Sequence, residues 1–409
     1  MLNHFWAAMV LLAAAVGAFK ICILGEADLI NTLTDTLFSS AKTGFEMAFG
    51  LVAAMALWLG LFQIAEAAGV IRVIARWLTP VLHQLMPEVP PGHPAFGSIG
   101  MNVAMGMLGI DNGALPSALK AMQELETLNP HPGRATAAQQ MFMVYMTASM
   151  TIFPVSILGY RLQAGSAHAA DVFVPLLLAS YIGLFAGLMS LAISQRLRWR
   201  DPVLLGGAGL LVAALGGVAW LVGQWPVQEI APRVARWGNG ALFCSAVAFV
   251  LIGWWRKVPV FDCFVEGSAK GFRIAVDLIP YVLGMLVAIG LLRASGVFGL
   301  IEAALTALVQ GVGLDAAWVG SLPQGLMKSF SSSGARAFML DTFKTVGPDS
   351  FLGHLSAIVQ GASDTTFYVI AVCAGAARLQ HLGRVVQASL LADVASYAAA
   401  VALAYLFFG

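Results

Sequence analysis

The 409 residues are 59% hydrophobic and only 11% charged, with a formal net charge of +1 and a mean hydropathy of +0.83. Ordinary soluble domains are about 45–50% apolar and about 25% charged, so the chain requires lipid as solvent, and a near-neutral balance excludes nucleic acid as a partner. The four cysteines, Cys22, Cys244, Cys263 and Cys373, stand singly with no CxxC or CxxH, which suggests neither a disulfide framework nor a zinc site.

The first 25 residues, MLNHFWAAMVLLAAAVGAFKICILG, have the apolar stretch of a secretory signal but no Lys or Arg before it. They read as a retained first helix. A bilayer core needs about 20 apolar residues per crossing. Such runs occur at 3–24, 44–67, 137–160, 171–194, 203–223, 239–255, 272–294, 355–376 and 385–408, about nine spans in all. Amphipathic stretches at 70–86 and 298–312 read as interfacial helices. Two apolar but punctuated stretches, 94–128 and 320–345, read as re-entrant hairpins. Broken backbone at membrane depth survives only where protein or a wet cavity satisfies it, so these hairpins are expected to mark a site.

The chain repeats itself. Gly44-Phe45 and Ala68-Gly69-Val70-Ile71 match Gly271-Phe272 and Ser295-Gly296-Val297-Phe298 at an offset of 227. Thr147 to Val155 lies against Gly361 to Val369 at 214, and Ala179-Ser180-Tyr181 against Ala395-Ser396-Tyr397 at 216. Five crossings separate equivalent points, so the second copy is inverted. The expected architecture is an all-α polytopic membrane protein of two inverted repeats, each with a broken hairpin and an interfacial helix. Its units are an N-terminal transmembrane helix (1–35), a first repeat (36–194), a connecting helix pair (195–257) and a second repeat (258–409). Inverted repeats around a midplane site made of discontinuous helices characterise secondary transporters. Arginines and lysines of the loops at 195–202, 256–271 and 377–384 fall on one side, expected to be cytoplasmic together with the N-terminus.

Three polar constellations are candidate binding sites. Asn102, Asp111 and Asn112 belong to the first hairpin, where Asp-Asn-Gly is turn chemistry and a restarted helix would aim its amides at the tip; the alternative is Asp111 as a plain N-cap. Ser331, Ser332 and Ser333 form a donor-rich opening to a helix in the second hairpin, with Lys328 and Arg336 either as counter-charge or snorkelling to an interface. Gln360, Ser363, Asp364, Thr365 and Thr366 lie inside an apparent span, with Ser149 and Thr151 as repeat equivalents. Asp364 is the strongest candidate, for a substrate amine or a coupling cation, against a structural pairing with Arg336. Glu66, Arg293, Asp277 and Asp393 read as packing or pairing residues. The sequence contains no Walker A, GxSxG or HExxH motif, which gives an ATP-driven pump or a hydrolase no support.

The run from Gly44 to Pro130, MALWLGLFQIAEAAGVIRVIARWLTPVLHQLMPEVPPGHPAFGSIGMNVAMGMLGIDNGALPSALKAMQELETLNP within it, resembles spore maturation protein A. The chain from Val258 onward, through GPDSFLGHLSAIVQGASDTTFYVIAV to LADVASYAAAVALAYLFFG, resembles spore maturation protein B. The resemblance implies a fused A/B protein carrying the Gate, or nucleoside-recognition, domain shared with concentrative nucleoside transporters and the membrane part of ferrous-iron transporter B. It also implies a bacterial inner-membrane location. The second hairpin departs from the family: Lys328 to Ala335 stands where an Arg-Pro-Leu-Ser-Gly-Ser-Gly-Ala-like run is expected, so a site carried over there rests on Ser331 and Ser333.

The functional expectation is a non-enzymatic secondary transporter of a small polar solute; the alternative is a scaffold or regulatory module for envelope or spore-type maturation. No cofactor is expected beyond a coupling Na⁺ or H⁺. The GGAGLLVAALGG run at 206–217 offers small faces for a homodimer.

Overall fold

The computed structural model describes residues 2–109, 111–148, 151–196, 202–222, 224–225, 227–311, 313 and 315–409. Among these, the side chains of 2–5, 48, 111–113, 202–204, 208, 211, 219, 222, 227–228, 231 and 301 are outside the description. The chain is a multi-pass membrane protein in which the described residues form helices and no strand, apart from one isolated bridge between Arg134 and His381.

Helix α1 (Leu2–Ile23) leads into the first series: α2 (Leu29–Ala67), α3 (Val70–Leu85), α4 (Pro94–Met107), α5 (Asp111–Glu126), α6 (Ala137–Thr147), α7 (Val155–Gln163) and α8 (Phe173–Ser194). Helices α9 (Pro202–Val222) and α10 (Val227–Trp255) intervene. The series then recurs as α11 (Val260–Ala294), α12 (Val297–Gly311), α13 (Leu322–Phe330), α14 (Ser332–Val346), α15 (Phe351–Gly361), α16 (Thr366–Ala376) and α17 (Val385–Phe408). Structural boundaries keep the sequence offsets: α2 and α11 end 227 residues apart, and α6 and α15 end 214 apart. Gly69 (φ +79°) turns α2 into α3, and Gly296 (φ +85°) makes the same left-handed turn from α11 into α12, a conformation that costs a side chain dearly.

Equivalent helices pack against each other and run antiparallel. Along the seam of α2 and α11, Gly290 faces Ser40, Gly271 faces Met55 and Gly267 faces Leu59 and Gly60. Between α8 and α17, Gly183 faces Ser396 and Gly187 faces Ala392. Two antiparallel pairs of equivalents make the repeats inverted. Small residues at both seams let backbones approach, the usual basis of helix association where lipid removes the hydrophobic drive.

Among the described residues, seven stretches are long and apolar enough to cross a membrane: Trp6–Ile23, Leu29–Ala67, Phe173–Ser194, Pro232–Trp255, Val260–Ala294, Phe351–Ala376 and Val385–Phe408. The interrupted pair α6–α7 and the helix α9 stand at the other two positions where crossings are expected. Helix α2 begins fifteen residues before the expected span. Its N-terminal part carries Thr34, Thr36 and Thr43, whose hydroxyls donate to carbonyls four residues earlier at 2.7–2.9 Å. Such back-bonding lets a hydroxyl-rich segment that reads as loop continue a helix. At 39 residues it is about 58 Å long, far beyond a hydrocarbon core of about 30 Å.

A second departure lies in the spans at 137–160 and 355–376, both of which are interrupted. Pro154, at the start of α7, lacks an amide and disfavours helix in Phe153. At the other break, Asp364 Oδ1 accepts from the Thr365 amide at 2.6 Å, which offers the backbone a turn in place of a helical bond.

At one end of the molecule the repeats are joined by ions. The fully buried Arg161 places Nη2 2.9 Å from Asp171 and 3.0 Å from Asp349, and Nη1 2.7 Å from the Pro348 carbonyl. His354 Nε2 lies 2.8 Å from Asp171. Asp171, Asp349 and His354 are close enough together to surround a cation, and the guanidinium of Arg161 lies against both of the carboxylates. Asp349 also accepts from the Ser166 hydroxyl and the Ala167 amide.

Candidate functional site

Each repeat contributes two interruptions, a hairpin tip and a helix break. The first tip follows α4 at Leu108, and its left-handed residue is Gly109 (φ +76°). Asp111 already belongs to α5, so the turn is made by Gly109 and not by the Asp-Asn-Gly triplet. The second tip is a single residue. Ser331, in extended backbone, ends α13 and caps α14, accepting from the Gly334 amide at 3.1 Å; this is a serine N-cap satisfying one orphan donor.

The four interruptions are tied together. The Ile152 amide donates to the Met107 carbonyl at 2.7 Å, joining the first tip to the first break. The Asp364 amide donates to the Thr147 carbonyl at 2.9 Å, joining the two breaks. Lys328 Nζ donates to the Gln360 carbonyl at 2.7 Å, joining the second tip to the second break. Carbonyls at helix C-termini have no partner within their own helix, and here other elements supply those partners.

A cavity of about 80 Å³ lies at this junction, lined by Gly109 from the first tip, Thr151 and Ser156 from the first break, Lys328, Ser332 and Arg336 from the second tip, and Gln360, Ser363 and Asp364 from the second break. Gly109, Ser156 and Arg336 also line a wider cavity of about 520 Å³ between α2 and α11, whose wall carries Met55, Phe62, Glu66, Lys270 and Arg273. The volume of this outer cavity is within the range of about 300–1,000 Å³ usual for small-molecule sites.

Of the expected residues, Thr151, Ser332, Gln360, Ser363 and Asp364 thus meet around one space. Others serve the framework. Asn102 is buried and donates to the Ala114 carbonyl at 2.8 Å, bracing the arms of the first hairpin. Ser331 is the cap of α14, and Ser333, next along that helix, is half-buried. Thr366 donates to Asp393 Oδ2 at 2.7 Å, as does Ser329 at 2.6 Å. Asp393, read as a packing residue, therefore clamps hairpin to break, with its Oδ1 buried and without a hydrogen-bond partner, as is Thr365 Oγ1. Ser149 and the side chains of Asp111 and Asn112 lie outside the described residues.

Asp364 makes no ion pair with Arg336 among the described residues. Arg336 instead lies over the Tyr160 ring, 5.9 Å from its centroid. Sequence reasoning placed no role on Tyr160, Ser156 or Gly109. The signal for Ser156 and Tyr160 was Pro154, which breaks a helix just ahead of them.

The Gate family model, described as nucleoside recognition, matches residues 275–379, a range that holds the second hairpin and the second break. Spore maturation protein B of Bacillus subtilis is 36% identical over 178 residues, 43% of this chain and 98% of that protein. Spore maturation protein A of the same organism is 31% identical over 153 residues, 37% of this chain and 78% of that protein. The chain belongs to the spore maturation protein A/B family. A single polypeptide here matches both family members. The crystal structure of the YdaH transporter of Alcanivorax borkumensis aligns over 98% of this chain and 96% of that one at 15% identity, with a TM-score of 0.41.

Proposed function

We propose that this family member is a transporter of a small polar solute in the bacterial inner membrane, in which the inverted repeats move against each other around the junction of the four interruptions. One observation carries the reading: half-helices and hairpin tips from both repeats meet at a polar space that shares Gly109, Ser156 and Arg336 with a much larger cavity. Discontinuous helices at an inverted-repeat interface are what alternating access uses. The wider cavity is bordered by Lys270, at the basic segment 256–271. By the excess of basic residues that segment is cytoplasmic, so this conformation faces inward, with the N-terminus inside.

A second reading is a membrane module that scaffolds envelope or spore-type maturation. The bond between Asp364 and Thr147 favours it, because protein alone satisfies that break.

A thermal-shift screen of the detergent-purified chain separates the two. The panel holds nucleosides, amino acids, small carboxylates, small phosphonates and Na⁺. A ligand at 100 times its Kd stabilises by about 2.7 kcal/mol. The transport reading expects a saturable shift that disappears in Ser156→Trp, which puts a large side chain where both cavities are lined. A folded protein with no shift across the panel supports the scaffold.

A further inference from the structure

The described arginines held between membrane helices differ in one respect. Arg161 sits against Asp171 and Asp349. Arg293 sits against Asp341, 2.5 Å away. Arg336 has no carboxylate within ion-pair distance among the described residues, and its Nη1 is buried without any hydrogen-bond partner. Leaving a charged donor buried and unmatched is costly, and a guanidinium presents a fork shaped for two oxygens of one acid. This arginine lies at the point shared by both cavities.

Basic side chains outnumber acidic ones in the lining of both cavities. The inner cavity is lined by Lys328, Arg336 and Asp364; the charge of Lys328 also acts on Asp393, and Asp364 Oδ1 accepts from the Thr365 amide. The outer cavity is lined by Lys270, Arg273 and Arg336 with Glu66, and Lys270 is itself paired with Glu266 at 2.8 Å. Helix α14, fifteen residues long, begins at Ser332 in the inner wall, and its amide end adds positive potential. The size of the inner space limits the guest: about 80 Å³ admits an acid group, whereas a base or sugar needs the outer cavity. The outer wall is largely apolar, with Met55, Leu59, Phe62, Met105, Ile274 and Leu278.

Resting on the transport reading above, we infer that the solute is an amphipathic organic anion. Its carboxylate or phosphonate head sits on Arg336 beside Ser332 and Lys328, and its apolar body lies in the cavity between α2 and α11.

The test uses the purified full-length chain and four probes: hexanoate, phenylphosphonate, hexanamide and uridine. Thermal shift should rise saturably with hexanoate or phenylphosphonate, and hexanamide, which keeps the body and loses the charge, should be silent. Arg336→Gln should weaken the anion's half-saturation by at least about tenfold, the scale expected for a charge-assisted bidentate pair. Arg336→Lys should retain part of the affinity. Without ligand, Arg336→Gln should melt no lower than the native chain, since it removes a half-buried guanidinium that has no carboxylate partner among the described residues. A variant that fails to fold or melts much lower makes Arg336 structural and overturns the inference. So does binding of uridine or hexanamide with both anions silent, although transport would then stand. Silence of all four probes together with the broader screen overturns both readings.

Discussion

The amide of Asp364 donates to the carbonyl of Thr147 across 2.9 Å, although 217 residues separate them and each stands at the break of a different repeat. The bond joins α6 of one repeat to the loop before α16 of the other. Beside it, the Thr147 hydroxyl donates to Ser389 Oγ on α17 at 2.8 Å. A movement of one repeat against the other has to remake or preserve these bonds, which makes the pair a reporter of the conformation described.

Asp364→Asn is expected to leave stability within about 1 kcal/mol of the native chain, because the backbone bond to Thr147 stays and an amide oxygen can still accept from the Thr365 amide. Binding should change in a definite direction. Removing the one acid of the inner cavity should tighten hexanoate binding. Titration of native and variant proteins reads this directly, and weaker binding in the variant would mean that the carboxylate itself holds the solute or a cation.

Arg161 is fully buried between Asp171 and Asp349. Arg161→Met should destabilise by about 3–5 kcal/mol, since removing one partner leaves buried charge uncompensated. Denaturant unfolding in detergent measures the loss. An effect below about 1 kcal/mol would show that the two carboxylates find other partners or water.

The same cluster should respond to acid. Burial alone would raise the carboxyl of Asp349, but hydrogen bonds from Ser166 and Ala167 and the charges of Arg161 and His354 outweigh it, and its pKa is held below the usual carboxylate value. The unfolded chain, with Asp near 3.9, therefore binds this proton first. The contribution of Asp349 to stability is fully present above about pH 4–5 and is lost as pH falls through the lower folded-state pKa. Melting temperature followed from pH 6 to pH 3 should fall more steeply in the native chain than in Asp349→Asn. Parallel curves would remove Asp349 as a source of acid sensitivity.

Gly271 in α11 presses on α2, where an added Cβ would lie 2.5 Å from the Met55 carbonyl oxygen. Gly271→Val should cost at least about 1–3 kcal/mol, the usual range for overpacking, with backbone here as the obstacle. Gly240→Ala in α10 meets nothing within 4 Å and is the control. Equal melting temperatures for the two variants would mean that α2 and α11 separate without penalty.

Much of this organisation was legible in the chain itself. Hydropathy identified lipid as the solvent, and matched fragments at an offset of 227 located the ends of α2 and α11, whereas the stretches broken after α6 and α15 read as continuous spans. Glycine, proline and serine punctuation located both hairpins. These features are local: hydropathy runs and turn residues act over one helix length. The extension of α2 through Thr34 and Thr36 was not legible, because hydroxyls that bond their own helix look like loop residues until the helix is seen.

What composition and pattern determined by themselves is the class: an all-helical, duplicated, inverted membrane protein with polar interruptions. Tertiary structure decided which interruptions meet, that Asn102 braces a hairpin while Ser332, Gln360 and Asp364 face one cavity, and that Arg161 finds carboxylates while Arg336 finds none among the described residues. The physical reason is that pairing across some 200 residues depends on the antiparallel packing of α2 on α11 and of α8 on α17. Close helix approach at Gly271 and Gly183 sets that packing, and it leaves no periodic trace in the residues whose partners it chooses.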